Sequence, residues 1–273
     1  RTDRILFLAR DQIGIKPLYW ARQGQLFLFG SELKALRAHP LWKPSVDRNS
    51  ISSYMRHNYI PAPHTIWQDT YKLVPGHMLV VRDGQEPESI PFWRLDDAVS
   101  NGHAHPFAGD DKEATEELNL ILRDAVKRQM FADVPVGAFL SGGVDSSTVA
   151  ALMQSQSNRP VRTFSIGFDE EGYNEAVHAK AVAQHLGTEH TELYVTQPEA
   201  LSVIQHLSEC YDEPFADSSQ IPTFLISQLA RQDVTVSLSG DGGDETFGGY
   251  NRYIYASKLF KQTHHMPSWL MKL

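Results

Sequence analysis

Hydrophobic positions in the first hundred residues come in short runs bounded by turn residues: "RILFLAR" from Arg4, "QLFLFGSE" from Gln25 and "KLVPGHMLVVRDGQ" from Lys72. Such runs predict β-strands, and "RDG" marks a hairpin turn. Between Asp97 and Lys112 the stretch "AVSNGHAHPFAGD" is small and polar, with Gly, Asn and Pro breaking any period, and reads as a linker. Beyond it the pattern changes. "KEATEELNLILRDAVKRQM", "DSSTVAALMQSQ", "NEAVHAKAVAQHLG", "EALSVIQHLSECY" and "IPTFLISQLARQ" predict helices, while "VPVGAFL", "VRTFSIGF" and "VTVSLSG" predict strands. That alternation is the signature of a parallel α/β sheet. The resulting division is residues 1–97, mainly β, a linker at 98–112, and an α/β domain over 113–273.

Composition narrows the picture further. The 273 residues are 41% hydrophobic, enough for a sizeable core. Net charge is -8 and the 25 Lys and Arg are scattered, so no basic stripe points to nucleic acid. No stretch approaches the roughly 20 apolar residues of a membrane helix. A single cysteine, Cys210, cannot form an internal disulfide, and a reducing cytoplasm is the expected setting. Cys210 falls in a predicted helix and reads as a buried core residue rather than a nucleophile, since small thiols are commonly buried. The 12 histidines, including His185, His190 and the pair His264 and His265, show no zinc spacing. The amphipathic "KEATEELNLILRDAVKRQM" is expected to pack on the sheet. With Arg1 first and no initiator Met, the chain reads as a fragment.

Two stretches carry chemistry. "FLSGGVDSS", Phe139 to Ser147, has an apolar run, Ser141, Gly142 and Gly143, and then a helix-like segment. Ligands of parallel α/β folds bind beyond the C-terminal ends of strands, where backbone N–H groups and the positive helix end attract anions. Asp145, one turn in, would repel a phosphate unless a cation lies between. "SLSGDGGDETFGGY", Ser237 to Tyr250, follows another strand, so its Asp241 and Asp244 are expected to face the same crevice. Acids around one phosphate site imply Mg²⁺, a hard ion held by one or two carboxylates together with phosphate oxygens. The lysine of a Walker A loop is absent, which disfavours a P-loop NTPase. A Ca²⁺-binding β-helix would need stacked repeats, and one copy is present.

These residues carry a family resemblance. "SGGVDSS" resembles the pyrophosphate loop of the ATP pyrophosphatases, and "LSGDGGDETFGGYNRY" is similar to the second signature of glutamine-dependent asparagine synthetases. "ARDQIGIKPLYW", "GSELKAL", "KLVPGHML" and "PFW" are similar to the late part of that family's glutaminase domain, and "DVPVGAFLSGGVDSS", "TFSIGF" and "YDEPFADSS" follow in the family's order. The implied fold is an α+β remnant of an N-terminal-nucleophile glutaminase domain, followed by an α/β parallel-sheet ATP pyrophosphatase domain. The implied reaction is ATP-dependent amidation of aspartate through β-aspartyl-AMP, with ATP and Mg²⁺ as cofactors and glutamine-derived ammonia in the parent chain. Nucleic-acid and membrane partners are not expected, and a homodimer is one possible assembly.

By residue, the resemblance implies that Ser141, Gly142, Gly143 and Ser146 hold pyrophosphate, with Asp145 and Asp244 binding it through Mg²⁺. Adenosine falls to Phe139, Leu140, Ile166, Ser239 and Gly240; Ile166 is equally readable as plain core. Asp241 is the implied catalytic residue, although family members often carry Glu there and Asp is one methylene shorter. Asp217, Ser218 and Ser219 in "FADSS" are candidate substrate contacts, or only a helix N-cap. The family's glutaminase nucleophile is the amino-terminal Cys of the mature chain, whereas this sequence starts with Arg1.

Related adenylating enzymes that close β-lactam rings or lasso-peptide macrolactams share these motifs, and a non-catalytic nucleotide- or Ca²⁺-binding module is a different class again. Calorimetry with MgATP against Ca²⁺ separates that class from the enzymes. The chain is expected to bind MgATP but not glutamine; saturable, stoichiometric glutamine binding in equilibrium dialysis would contradict this.

Overall fold

The protein is described by a computed structural model covering residues 4–168 and 175–263; His264 and His265 lie outside the described residues, as does Asn174 at the start of one predicted helix. The chain forms two compact units. One contains the described residues up to Ala108 together with Ile204–Gln220, and the other contains Gly109–Val203 and the described residues from Ile221 onward.

In chain order the first unit holds β1 (Ile5–Ala9), β2 (Tyr19–Gln23), β3 (Leu26–Gly30), α1 (Leu33–Arg37), α2 (Arg48–His57), β4 (Thr70–Lys72), β5 (His77–Arg82), β6 (Glu88–Pro91) and α3 (Leu95–Ala104). They form two antiparallel sheets, β1-β5-β6 and β3-β2-β4. The expected hairpin is β5–β6, with Gly84 at φ 72° supplying the left-handed turn. One apolar cluster gathers Leu8, Leu73 and Leu79, and another Ala21, Leu36 and Trp42.

The stretch "ARDQIGIK" is a loop locked by its own charges. The Arg10 guanidinium donates to the carbonyls of Gly14, Lys16 and Leu73 at 2.8 to 3.0 Å. Asp11 accepts the backbone N–H groups of Gly14, Ile15 and Lys16 at 2.7 to 2.9 Å. Gly14 has φ 77°, and a β-carbon there would stand 2.7 Å from Pro75. The span read as a polar linker carries the end of α3, and α4 (Asp111–Met130) starts at a capping box in which Asp110 and Glu113 each accept the other's backbone N–H.

The second unit continues with β7 (Val136–Phe139), α5 (Val144–Gln154), β8 (Arg162–Phe168), α6 (Ala176–Leu186), β9 (Glu189–Val195) and α7 (Gln197–Ser202). After α8 (Ile204–Cys210), which belongs to the first unit, come α9 (Gln220–Ala230), β10 (Val236–Leu238), α10 (Gly243–Phe247) and α11 (Asn251–Thr263). The sheet order is β10-β7-β8-β9, all parallel. Alternation along β7 sorts its helices onto two faces. Ala138 packs with Val126 of α4 and with Leu152 and Met153 of α5, whereas Phe139 turns to the cluster containing Ala230 of α9. Thus α4 is anchored through Val126, while its Leu120 and Ile121 remain exposed. Among the described residues no helix is long and apolar enough to cross a membrane.

Three expectations change. β9, "EHTELYV", is an unforeseen strand: its polar edge obscures the pattern, and its seven-residue parallel register with β8 supplies the order. The single helix read over "EALSVIQHLSECY" is two, α7 and α8, separated at Val203. Cys210 is exposed rather than buried, because it ends the short α8, whose described residues include none that are buried.

The β8–β9 pair encloses a polar ladder. Thr163 and Ser165, 0% and 2% exposed, meet the two ring nitrogens of His190 at 2.9 and 3.1 Å. Burial holds the His190 imidazole below its usual 6.5, despite Glu192 nearby, which is itself paired with Lys180 at 3.0 Å. The unfolded chain therefore takes up a proton near pH 6.5 that the folded chain refuses, so this contribution is full above that pH and is lost as pH falls below it. Thermal midpoints measured from pH 7.5 to 5.5 for the parent and for His190→Gln should converge as pH falls; a constant gap would remove His190 as the titrating group.

Candidate active site

β7 and β10 lie side by side in register, Val136 against Val236 and Ala138 against Leu238, so the loops that follow them leave the same sheet edge. Between these loops lies a cleft of about 680 Å³. Its lining includes Phe139, Leu140, Ser141, Gly143, Asp145 and Ser146 from the first loop and Ser239, Gly240, Asp241 and Asp244 from the second. Ile166 of β8 joins them.

The first loop is tied by two serines. Ser141 Oγ and Ser146 Oγ are 2.9 Å apart, Ser141 N donates to Ser146 Oγ at 3.2 Å, and Gly143 N donates to Ser141 Oγ at 3.2 Å. Gly143 is the N-cap of α5 and no side chain caps that end. An eleven-residue helix thus begins at the cleft with its first-turn N–H groups without a side-chain acceptor, which suits an anionic ligand. Gly142 does not line the cleft. It holds φ 81° and its α-carbon faces α6, where a β-carbon would stand 2.7 Å from His178 and 2.8 Å from Ala179 N.

The second loop approaches the first turn of α5 so closely that side chains are excluded. A β-carbon at Gly240 would lie 2.7 Å from Ser146 N, and one at Gly243 would lie 2.5 Å from the Asp145 carboxylate. Gly249 is pressed against the Asp244 carboxylate in the same way, after Gly248 turns the chain at φ 72°. Asp241 is exposed, and its Oδ2 accepts from Ser239 Oγ at 2.9 Å. Past α10, Tyr250 donates to Glu245 Oε1 at 2.6 Å, which pushes the phenol up to about 12, and Arg252 stacks on the Tyr250 ring at 4.0 Å.

Among the described residues no three His, Cys, Asp or Glu gather as a metal site. The donor set that does face the cleft, Asp145 and Asp244, suits an ion carried in with a polyphosphate, since Mg²⁺ takes one or two carboxylates and completes its shell with phosphate and water oxygens. Asp217, Ser218 and Ser219 are exposed in the first unit and do not line this cleft. Thr223 and Ile226 of α9 do line it, as does Glu175. No motif in the sequence marks them: Thr223 and Ile226 sit in an apolar helical run and Glu175 at the start of α6.

The site therefore defines an α/β unit in which an uncapped helix start and two carboxylates meet at the C-terminal edge of a parallel sheet. The chain belongs to the asparagine synthase family, which it matches over residues 117–272; residues 1–93 match a glutamine amidotransferase domain. It is similar to the putative asparagine synthetase [glutamine-hydrolyzing] 2 of Methanocaldococcus jannaschii, with 39% identity over 93% of this chain and 49% of that protein. Asparagine synthetase [glutamine-hydrolyzing] 1 of Bacillus subtilis is 32% identical over all of this chain and 42% of its own length. Amidase chry2 of Gibberella zeae is 27% identical over 97% of this chain and 40% of its own. The chain thus spans half or less of the length of these relatives.

Asp145→Asn should weaken MgATP binding by about tenfold or more, the scale of one contact to a charged group, while moving the thermal midpoint by only a few degrees. Unchanged affinity by calorimetry with a large fall in midpoint would assign Asp145 to folding instead.

Proposed function

We propose that this chain is part of a glutamine-dependent asparagine synthetase, amidating aspartate at the expense of ATP through β-aspartyl-AMP. The observation that supports it most is the cleft: an uncapped helix start, two linked serines and two carboxylates on one glycine-lined sheet edge, in a chain of this family. Ammonia does not displace a carboxylate oxygen directly, because oxide is a poor leaving group. Attack of the β-carboxylate oxygen on the α-phosphorus forms a new P–O bond as the bond to pyrophosphate breaks. Ammonia then adds at the activated carbonyl carbon, AMP leaves with the oxygen and its electron pair, and the surplus proton of the added nitrogen passes to a base, Asp241 in this reading. The ammonia would come from glutamine through the amidotransferase domain, whose nucleophile in the parent would be an amino-terminal Cys.

In this reading Ser141, Gly143 and Ser146 bind the pyrophosphate portion with the first turn of α5, and Gly142 shapes the turn that aims them. Phe139, Leu140 and Ile166 supply an adenosine wall, completed by Ser239 and Gly240. Asp145 and Asp244 hold Mg²⁺, which supplies neutralisation of phosphate charge when bound. Asp217, Ser218 and Ser219 remain candidate contacts of the acceptor in the parent, and the cytoplasm is its proposed location.

Asp241 sits between Gly240 and Gly242, where the backbone can come close to a ligand, and its carboxylate is exposed to the cleft and oriented by Ser239. In this reading it acts on the reacting carboxyl and amine. In the full-length parent, Asp241→Ala should lower aspartate-dependent pyrophosphate exchange by about 10²-fold, the scale of a positioned proton-transfer group, with ATP affinity much less affected. Asp241→Glu should retain substantial activity. Exchange at the parental rate in Asp241→Ala, with asparagine still formed from ammonia, would make this residue a turn former only.

A further inference from the structure

The nucleotide reading uses the second loop as far as Asp244 and leaves its tail, "GGYNRY" from Gly248 to Tyr253, without a part. That tail folds back onto α10. After the left-handed turn at Gly248, the N–H groups of Gly248 and Gly249 donate to the Asp244 carbonyl at 2.9 and 3.1 Å, and the Gly249 α-carbon rests against the Asp244 carboxylate. Asp244 and Gly249 both line the cleft. Two consecutive exposed glycines have little stiffness of their own, because each visits a wide range of φ and ψ. A contact from outside the turn is needed to keep it against Asp244.

Tyr250 supplies that contact. Its hydroxyl reaches back across the turn to Glu245 Oε1 at 2.6 Å, a short bond to an acidic side chain. Its ring is seated from two sides: the Arg252 guanidinium lies over the face, 4.0 Å from the centroid, and Tyr253 meets it edge-on with centroids 5.7 Å apart. Tyr253 N donates to the Tyr250 carbonyl at 3.0 Å, so ring and backbone are both tied to the first turn of α11. The five-residue α10 is thus closed onto the start of α11 by one side chain. Neither Tyr250 nor Glu245 is among the residues lining the cleft.

We propose that Tyr250 and Glu245 are positioning residues for Asp244: their hydrogen bond clasps the Gly248–Gly249 turn against the Asp244 carboxylate and fixes the direction in which it faces the cleft. The proposal rests on the reading of Asp244 as a Mg²⁺-binding carboxylate given above. With the clasp released, the Asp244 side chain gains rotamers that miss the metal, and affinity falls with the fraction left in the productive one.

The test measures MgATP affinity by calorimetry and hydrogen exchange by mass spectrometry on the full-length parent. Tyr250→Phe, which removes one hydroxyl and keeps the ring, should raise the Kd by about threefold to tenfold, the scale of one hydrogen bond, and speed exchange in peptides spanning 244–250 by a similar factor. Glu245→Ala should do the same, and stands in for Tyr250→Phe should that variant unfold. Glu245→Gln, which keeps an acceptor oxygen, should retain most of the affinity. In an Asp244→Asn background, where the metal ligand is already lost, Tyr250→Phe should change the Kd by less than about twofold, since residues acting through one group do not add. The same threefold-to-tenfold loss in that background, or an unchanged Kd in both Tyr250→Phe and Glu245→Ala, would overturn the positioning role. If the unsubstituted parent binds no MgATP, the nucleotide reading fails, and exchange alone decides the clasp: faster exchange over 244–250 in Tyr250→Phe upholds it, and unchanged exchange removes it.

Discussion

Close contact between two glycine-bearing loops is the constraint on which the site depends. Because β7 and β10 run parallel in adjacent register, the loops beyond them compete for the same few ångströms above the sheet edge. Gly240 and Gly243 resolve that competition by presenting only α-carbons to the first turn of α5, at separations where a β-carbon would overlap Ser146 N or the Asp145 carboxylate. Remove that approach and the carboxylates of the two loops no longer line one cleft. Gly142 plays the corresponding part on the other side, letting α6 close against the turn.

The electrostatics follow from this packing. A helix start without a side-chain cap and a pair of linked serine hydroxyls form a site that favours an anion, whereas Asp145 and Asp244 make the same cleft unfavourable for an anion alone. Opposite preferences at such short range are reconciled when anion and cation enter together. Asp241 differs from both: it is exposed, and its carboxylate accepts a hydrogen bond from Ser239 of the same loop.

The two units also differ in what secures them. In the second, alternation along β7 sends apolar side chains to helices on both faces, and the polar ladder of Thr163, Ser165 and His190 fixes the β8–β9 pairing. The first relies more on ionic detail, with Arg10 and Asp11 closing one loop and Lys72 receiving Glu213 from a distant part of the chain.

Local signals were legible in the sequence because their causes are local. The strand run into "SGGVDSS", the acids of "SGDGGDETFGG" and the alternation of helix and strand periods each depend on residues a few positions apart, and they were enough to bring Phe139, Ser141, Asp145, Ser239, Asp241 and Asp244 to one cleft. What depends on partners far along the chain was not legible. The polar β9 becomes a strand through its register with β8, Cys210 is exposed because α8 is short and shallow, and Thr223 and Ile226 reach the cleft on a helix that carries no motif. The seating of Asp212 against the Leu33 N–H and of Glu213 against Lys72 is of the same kind: a carboxylate in a sequence is simply an acid, and only folding decides whether it meets water, a lysine or a helix N-terminus, since that choice depends on the desolvation and pairing found at its final address.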